Sequence, residues 1–350
     1  MEPNRSFKTM NQLINILAEK HNVNFENQLV AERILTDHSY YTLINGYQEA
    51  LINNSENEQL LNINLETLEA LHVYESNISS VFLRAIVDIE QTLKFSIQYV
   101  VSQHFGINQD NYLNPNNYTE SQNKKDTKYK VLGDFRKTVT GKYPDGNIIQ
   151  NERVSGSLKY HRMAGNVPPW ILSNELMFGN VLRWFKILPL SLCSEVLKMA
   201  FPNIKMPKTK NRSEQDETIE FFSIAFELLR NYRNGFAHGT VISKIYTKTK
   251  LQYKHIRTLF NDPIPVTTSD FFDKEKKYGE NDLLALSIII CSLSPEKHLY
   301  FFKLNLTGYL SSLDATFPNV DNSALQNIFR MPTNFSDRLN ILLSNTSFTG

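Results

Sequence analysis

Cysteine is nearly absent from this chain of 350 residues, which has only Cys193 and Cys291. Each sits in an apolar run, so both read as buried thiols, and a disulfide framework is excluded. No cationic start leads into an apolar stretch, which argues against a secretory signal. The longest largely apolar run, Leu283 to Leu293, falls far short of the ~20 residues a bilayer crossing needs. A cytoplasmic protein without a membrane segment is therefore expected. Charge of one sign is lacking too. Lysine and arginine number 37 against 36 acids, a net charge of +1, so any affinity for nucleic acid must come from local patches.

Several chemistries are also missing. There is no GxxxxGK[ST] loop for nucleotide hydrolysis, no HExxH and no CxxC. His21, His38, His72, His104, His161, His255 and His298 are scattered singly, and no carboxylate pair of the two-metal nuclease kind is evident. Neither a metal nor a cofactor is expected. Hydrophobic content of 41% and charged content of 21% describe a globular chain long enough to bury a substantial core.

What is present is helical patterning. Met10, Leu13, Ile14 and Leu17 keep the i, i+3, i+4, i+7 rhythm of an amphipathic helix. Helices are expected over 26–35, 60–73, 176–188 and 190–201, with a buried one within 282–306 that is interrupted near Ser294-Pro295. The stretch from Asn77 to Phe105 has neither proline nor glycine and is the longest candidate. Within it Glu90 and Lys94, at i and i+4, read as a surface ion pair worth a few tenths of a kcal/mol. Residues 108–166 are rich in turn signals and read as a partly ordered connector. Pro169 starts a helix with Trp170 expected to pack inward. Ser213 to Asp216 resembles a capping box.

One segment carries chemistry. Arg233, Asn234 and His238 put a permanent cation, an amide and a titratable imidazole within six positions at the end of an apolar helical run. An imidazole moves protons near neutral pH, and a guanidinium stabilises charge on a phosphoryl oxygen. In an unbroken helix five steps of about 100° leave Arg233 and His238 roughly 140° apart. To converge they need a break, for which Gly235 offers a place, or a second copy of the chain. Asn234 and His238 share a face. Six residues on, an acid-free stretch carries Lys244, Lys248, Lys250, Lys254 and Arg257, interleaved with Tyr246 and Tyr253, as an RNA-binding candidate. A second basic cluster is Lys205, Lys208, Lys210 and Arg212.

Arg233-Asn234-Gly235-Phe236-Ala237-His238 resembles the R-N-x-x-A-H signature of HEPN domains. The likeness is to abortive-infection (Abi) proteins of the AbiD/AbiF group, anti-phage factors related to the HEPN nucleases of type VI CRISPR effectors. Tyr40 to Tyr47 is similar to the Y-Y-x-L-I-N-G-Y block, Ile89 to Lys94 to an I-E-x-x-L-R core, and Pro168-Pro169-Trp170 through Gly179 to a P-P-W…L-S-F-G block. Met331 to Phe335 echoes a C-terminal M-G-F-P-x-N-W. Lys94 stands where the family has arginine, and Gly239-Thr240 where it continues with arginine.

The resemblance implies an all-α, HEPN-type helical bundle with an N-terminal helical region at 1–75. The HEPN-like domain would span 76–312, with a loop-rich insertion at about 108–166, and a docking segment 313–350. It also implies a homodimer, with Glu90 or Lys94 orienting the site. The expected activity is metal-independent endoribonuclease action through attack of the 2′-hydroxyl, with RNA as partner. The alternatives are a non-cleaving RNA-binding protein carrying a small non-coding RNA and a dimeric protein-interaction scaffold.

Overall fold

Helical periodicity runs through almost the whole molecule. The computed structural model describes residues 6–52, 60, 63–120, 127–150, 152–204, 212–260, 263–274, 276–332 and 334–345, the side chains of 212–216 and 345 excepted. Among them there are helices and isolated bridges but no strand, so the fold is all-α as expected. In chain order the first helices are α1 (Met10–Glu19), α2 (Gln28–His38), α3 (Gly46–Leu51) and α4 (Leu65–Phe105). Then come α5 (Gln109–Tyr112), α6 (Lys128–Thr140), α7 (Gly156–Met163), α8 (Pro169–Glu175), α9 (Phe178–Ile187) and α10 (Leu190–Ala200). The chain continues with α11 (Arg212–Ala237), α12 (Tyr253–Leu259), α13 (Thr268–Phe272) and α14 (Leu283–Leu293). It closes with α15 (Glu296–Thr316), α16 (Asn322–Phe329) and α17 (Phe335–Asn345). None is long and apolar enough to cross a membrane among the described residues.

Two compact units divide the chain. One holds 1–85 and 227–350, the other 86–226, so the cuts differ from the 1–75, 76–312 and 313–350 division expected from sequence. The patterns expected at 60–73 and from Asn77 onward are one helix, α4, of 41 residues. Asn64 caps its start by accepting from Thr67 N, and no proline or glycine interrupts it.

In the first unit, Leu65, Leu68, Leu71, Ile78 and Phe82 of α4 are buried. Each large apolar side chain so removed from water stabilises the fold by about 1.5–3 kcal/mol. Helix α14 is apolar all round and correspondingly buried. The segment after residue 313 docks through α16 and α17, which bury Ala324, Leu325, Ile328, Phe329, Leu339 and Leu342 and pack on α3 and α14 respectively.

In the second unit the described residues of the 108–166 segment hold more regular structure than its turn signals imply. Asn114 and Thr127 use their side chains as helix caps instead of breaking structure. Helix α6 buries Val131, Leu132, Phe135 and Val139 against α8 and α9. Trp184 packs on Phe135 at 5.2 Å and donates to Tyr118 Oη, which in turn donates to Tyr112 O. Trp170 does not pack inward. It is 40% exposed, because Ile171 and Leu172 occupy the inner face of α8. Cys193 and Cys291 are free and buried. Lys205, Lys208 and Lys210 lie outside the described residues, as do the side chains of Arg212 and Ser213 to Asp216.

Candidate functional site

Helix α11 carries the motif to its end. Leu228, Leu229, Tyr232 and Phe236 form its buried stripe in the first unit, and Phe236 meets Phe82 of α4 with ring centroids 6.2 Å apart. The helical ladder continues unbroken through the motif, with His238 N donating to Asn234 O at 3.1 Å. Only then does it close. Gly239 takes φ +64°, its N–H donates to Phe236 O and that of Thr240 to Gly235 O, the paired hydrogen bonds of a Schellman cap.

The break offered by Gly235 therefore does not occur. Gly235 is present for a packing reason: a Cβ there would stand 2.7 Å from Cδ1 and Cγ1 of Ile245. Arg233 and His238 leave one continuous helix in directions roughly 140° apart. Asn234 and His238 are exposed on a shared face, and Arg233 is half-buried. One chain's backbone does not aim the guanidinium and the imidazole at the same point.

Beside the cap lies a group that the sequence did not single out. Glu75 of α4 is 2% exposed, and its carboxylate accepts from Ile242 N at 2.6 Å and from Tyr47 Oη at 2.5 Å. Burial pushes its carboxyl up to about 7, against the lowering effect of those two hydrogen bonds. Tyr47 Oη also meets His72 Nδ1 at 3.0 Å. His72 is held below the ordinary imidazole range, first by burial and then by His38, whose ring lies 5.1 Å away. His72, Glu75, Ser79, Phe236, Gly239 and Thr240 border a cavity of about 80 Å³, room for a few waters. Gly46 of the tyrosine-rich block approaches so closely that a Cβ would meet Val241 Cγ2 at 2.8 Å. That block, α4 and the segment after the motif thus lock together at Glu75, whose titratable carboxyl holds Ile242 N, three residues beyond the Gly239 turn.

Glu90 and Lys94 belong to the second unit. They form an ion pair at 3.0 Å, but a buried one, 3% and 9% exposed, not the surface pair expected from spacing. Apolar neighbours on α4 such as Ile86, Ile89 and Leu93 enclose the i, i+4 pair. Removing one partner of a buried pair costs several kcal/mol, far above the surface value. In the first unit the basic stretch is exposed at Lys244, Lys248, Lys250, Lys254 and Arg257. Lys244 pairs with Glu49 and Lys250 with Glu280, so neighbouring acids offset part of its charge. Tyr246, between them, is 76% exposed. Among the described residues no three His, Cys, Asp or Glu side chains gather as a metal site would require.

Fold and site together define an all-α protein in which a polar arginine-to-histidine segment closes a long helix. A model of the Abi-like protein family matches residues 33–244, more than half of the chain, and the chain belongs to that family. The match takes in the tyrosine-rich block, the Glu90–Lys94 turn, the Pro-Pro-Trp corner and the motif, and it ends before Met331. No curated protein and no solved structure gave a match.

Proposed function

We propose that this protein is an anti-phage abortive-infection factor that cleaves RNA by the HEPN-type, metal-independent route, working as a homodimer. The unbroken run of α11 through Arg233, Asn234 and His238 carries the proposal, together with the exposure of Asn234 and His238. Divergence within one chain makes a two-fold pairing of helices the economical way to bring Arg233 of one copy to His238 of the other.

In that arrangement His238 takes the proton from a ribose 2′-hydroxyl, whose oxygen attacks the adjacent phosphorus. Arg233 stabilises the charge on the phosphoryl oxygens, and Asn234 steadies the histidine or the phosphate. The 5′-oxygen leaves and is protonated, giving a 2′,3′-cyclic phosphate and a 5′-hydroxyl. Lysines of the 244–257 stretch supply phosphate contacts.

The test is incubation of purified protein with RNA in EDTA, followed by end mapping. Cyclic-phosphate ends that vanish in Arg233→Ala and His238→Ala, with DNA of the same sequence uncut, are expected. Absence of cleavage under any ionic condition sinks the proposal. A second reading, RNA binding without cleavage, draws on Tyr246, an exposed ring among lysines that suits base stacking. In that case RNA affinity survives without new ends and falls in Tyr246→Ala.

A further inference from the structure

A second cavity of the first unit, more open than the one beside Glu75, measures about 530 Å³ and lies between the 276–282 turn and the end of α16. That volume falls in the range of small-molecule sites. Lys250, Lys276, Lys277 and Arg330 line it, against the two carboxylates of Glu280 and Asp282. Those carboxylates are engaged: Glu280 pairs with Lys250, and Asp282 caps α14 by accepting from Ala285 N and Gly279 N. Lys276 stands 3.7 Å from a carboxylate oxygen of Asp270, whereas Lys277 makes no ion pair among the described residues.

Two further observations bear on what the cavity takes. Arg330 ends α16 as its left-handed C-cap, at φ +49° with its N–H donating to Gln326 O, and Lys277 turns the chain at φ +48°, so both cations stand on fixed turns. The guanidinium of Arg330 is already fixed, with Nη1 donating to Ile245 O and Nη2 to Asn281 Oδ1, both at 2.9 Å. A guanidinium carries five N–H donors, so others remain for an anion. The Asn281 amide is taken up by Arg330 and by Thr247 O, whereas the amides of Gln326 and Asn327, which also line the cavity, offer the mixed donors and acceptors that a nucleobase edge matches.

We propose that this cavity binds a free nucleotide, its phosphates held by Arg330, Lys277 and Lys276 and its base by the amides of Gln326 and Asn327. The site touches the motif helix directly. Tyr232 Oη donates to Asn281 O at 2.6 Å, and Ile245, whose carbonyl Arg330 holds, is the residue packed against Gly235. A ligand gripping Arg330 and Asn281 thereby acts on the supports of the Arg233–His238 segment. The binding claim stands whether or not the protein cleaves RNA.

The experiment is a titration of the full chain with ATP, followed by calorimetry and by the rise in Tm that binding to the native state produces. Inorganic phosphate and a short oligoribonucleotide serve as separate arms. Saturable ATP binding is expected, weakened at least tenfold in Lys277→Asn and in Asn327→Ala. Asparagine tolerates left-handed backbone, so the first variant removes the charge without adding strain. Lys159→Glu, a charge change in the second unit, should leave binding intact. The proposal is overturned by no saturable ATP binding, by equal affinity for inorganic phosphate, by variants that bind ATP normally, or by a site that takes only the oligoribonucleotide.

Discussion

Glu75 shows how one residue's chemistry is set by partners far along the chain. Its carboxyl is raised from 4.5 to about 7 by burial, so the folded protein holds a proton there that the unfolded chain has already released. The stabilisation is fully present below pH 4.5 and is lost as pH rises to about 7, on the order of 3 kcal/mol in all. Glu75→Gln removes that titration. The Tm difference between variant and parent should therefore shift in the variant's favour between pH 4.5 and 7 and level off above, as thermal melts would show. A difference independent of pH would refute the assignment. Spacing could not have exposed this residue, because its partners Tyr47 and Ile242 lie 28 and 167 positions away. Gly235 makes the complementary point. Alanine favours helix by about 1 kcal/mol, yet here its Cβ would collide with the β-branched Ile245. Gly235→Ala should lose about 1–3 kcal/mol in urea unfolding, and Ile245→Val in the same chain should recover part of it.

Among the elements, α11 was legible except at the point that mattered. Its apolar rhythm and its motif are plain in the sequence, whereas the place where it stops depends on one left-handed residue. The cap glycine, Gly239, has nothing within 4 Å of where a Cβ would stand, so its replacement meets only conformational strain. Gly239→Ala should cost about 1–2 kcal/mol, and Gly239→Asn less, measured by denaturant midpoints. Helix α6 carries the opposite lesson. Its surroundings read as loops because Asn, Pro and Gly are as much at home in caps as in turns. Its burial of Phe135 against Trp184 shows that it belongs to the core of the second unit. Phe135→Ala should lower stability by about 3–5 kcal/mol. A loss near zero in calorimetry would return the segment to the status of a connector.

For the whole molecule the proposed chemistry turns on whether a second copy completes the Arg233–His238 pair. If Arg233 and His238 act across a two-fold axis, chains bearing Arg233→Ala and His238→Ala complement each other. Each mixed dimer then contains one intact pair and one empty pair. Mixing the two inactive variants under conditions of subunit exchange should restore about a quarter of the parent cleavage rate, since half the dimers are mixed. No recovery, with exchange verified by mass, would place both groups in one chain or remove them from the chemistry.

The sequence alone determined the all-α class, the position of the longer helices and the Abi-like family. These follow from i, i+4 periodicity and from residue chemistry, which act over a turn or two of chain. Only the tertiary structure decided that α11 stays intact through Arg233 and His238, that Glu90 and Lys94 are buried, and that Glu75 titrates near neutrality. It alone gathered Lys250, Lys276, Lys277 and Arg330 around one cavity. The physical reason is range. Helical patterning is a local balance of backbone hydrogen bonds and apolar spacing, whereas burial, pKa and convergence depend on which distant segments displace water from a side chain.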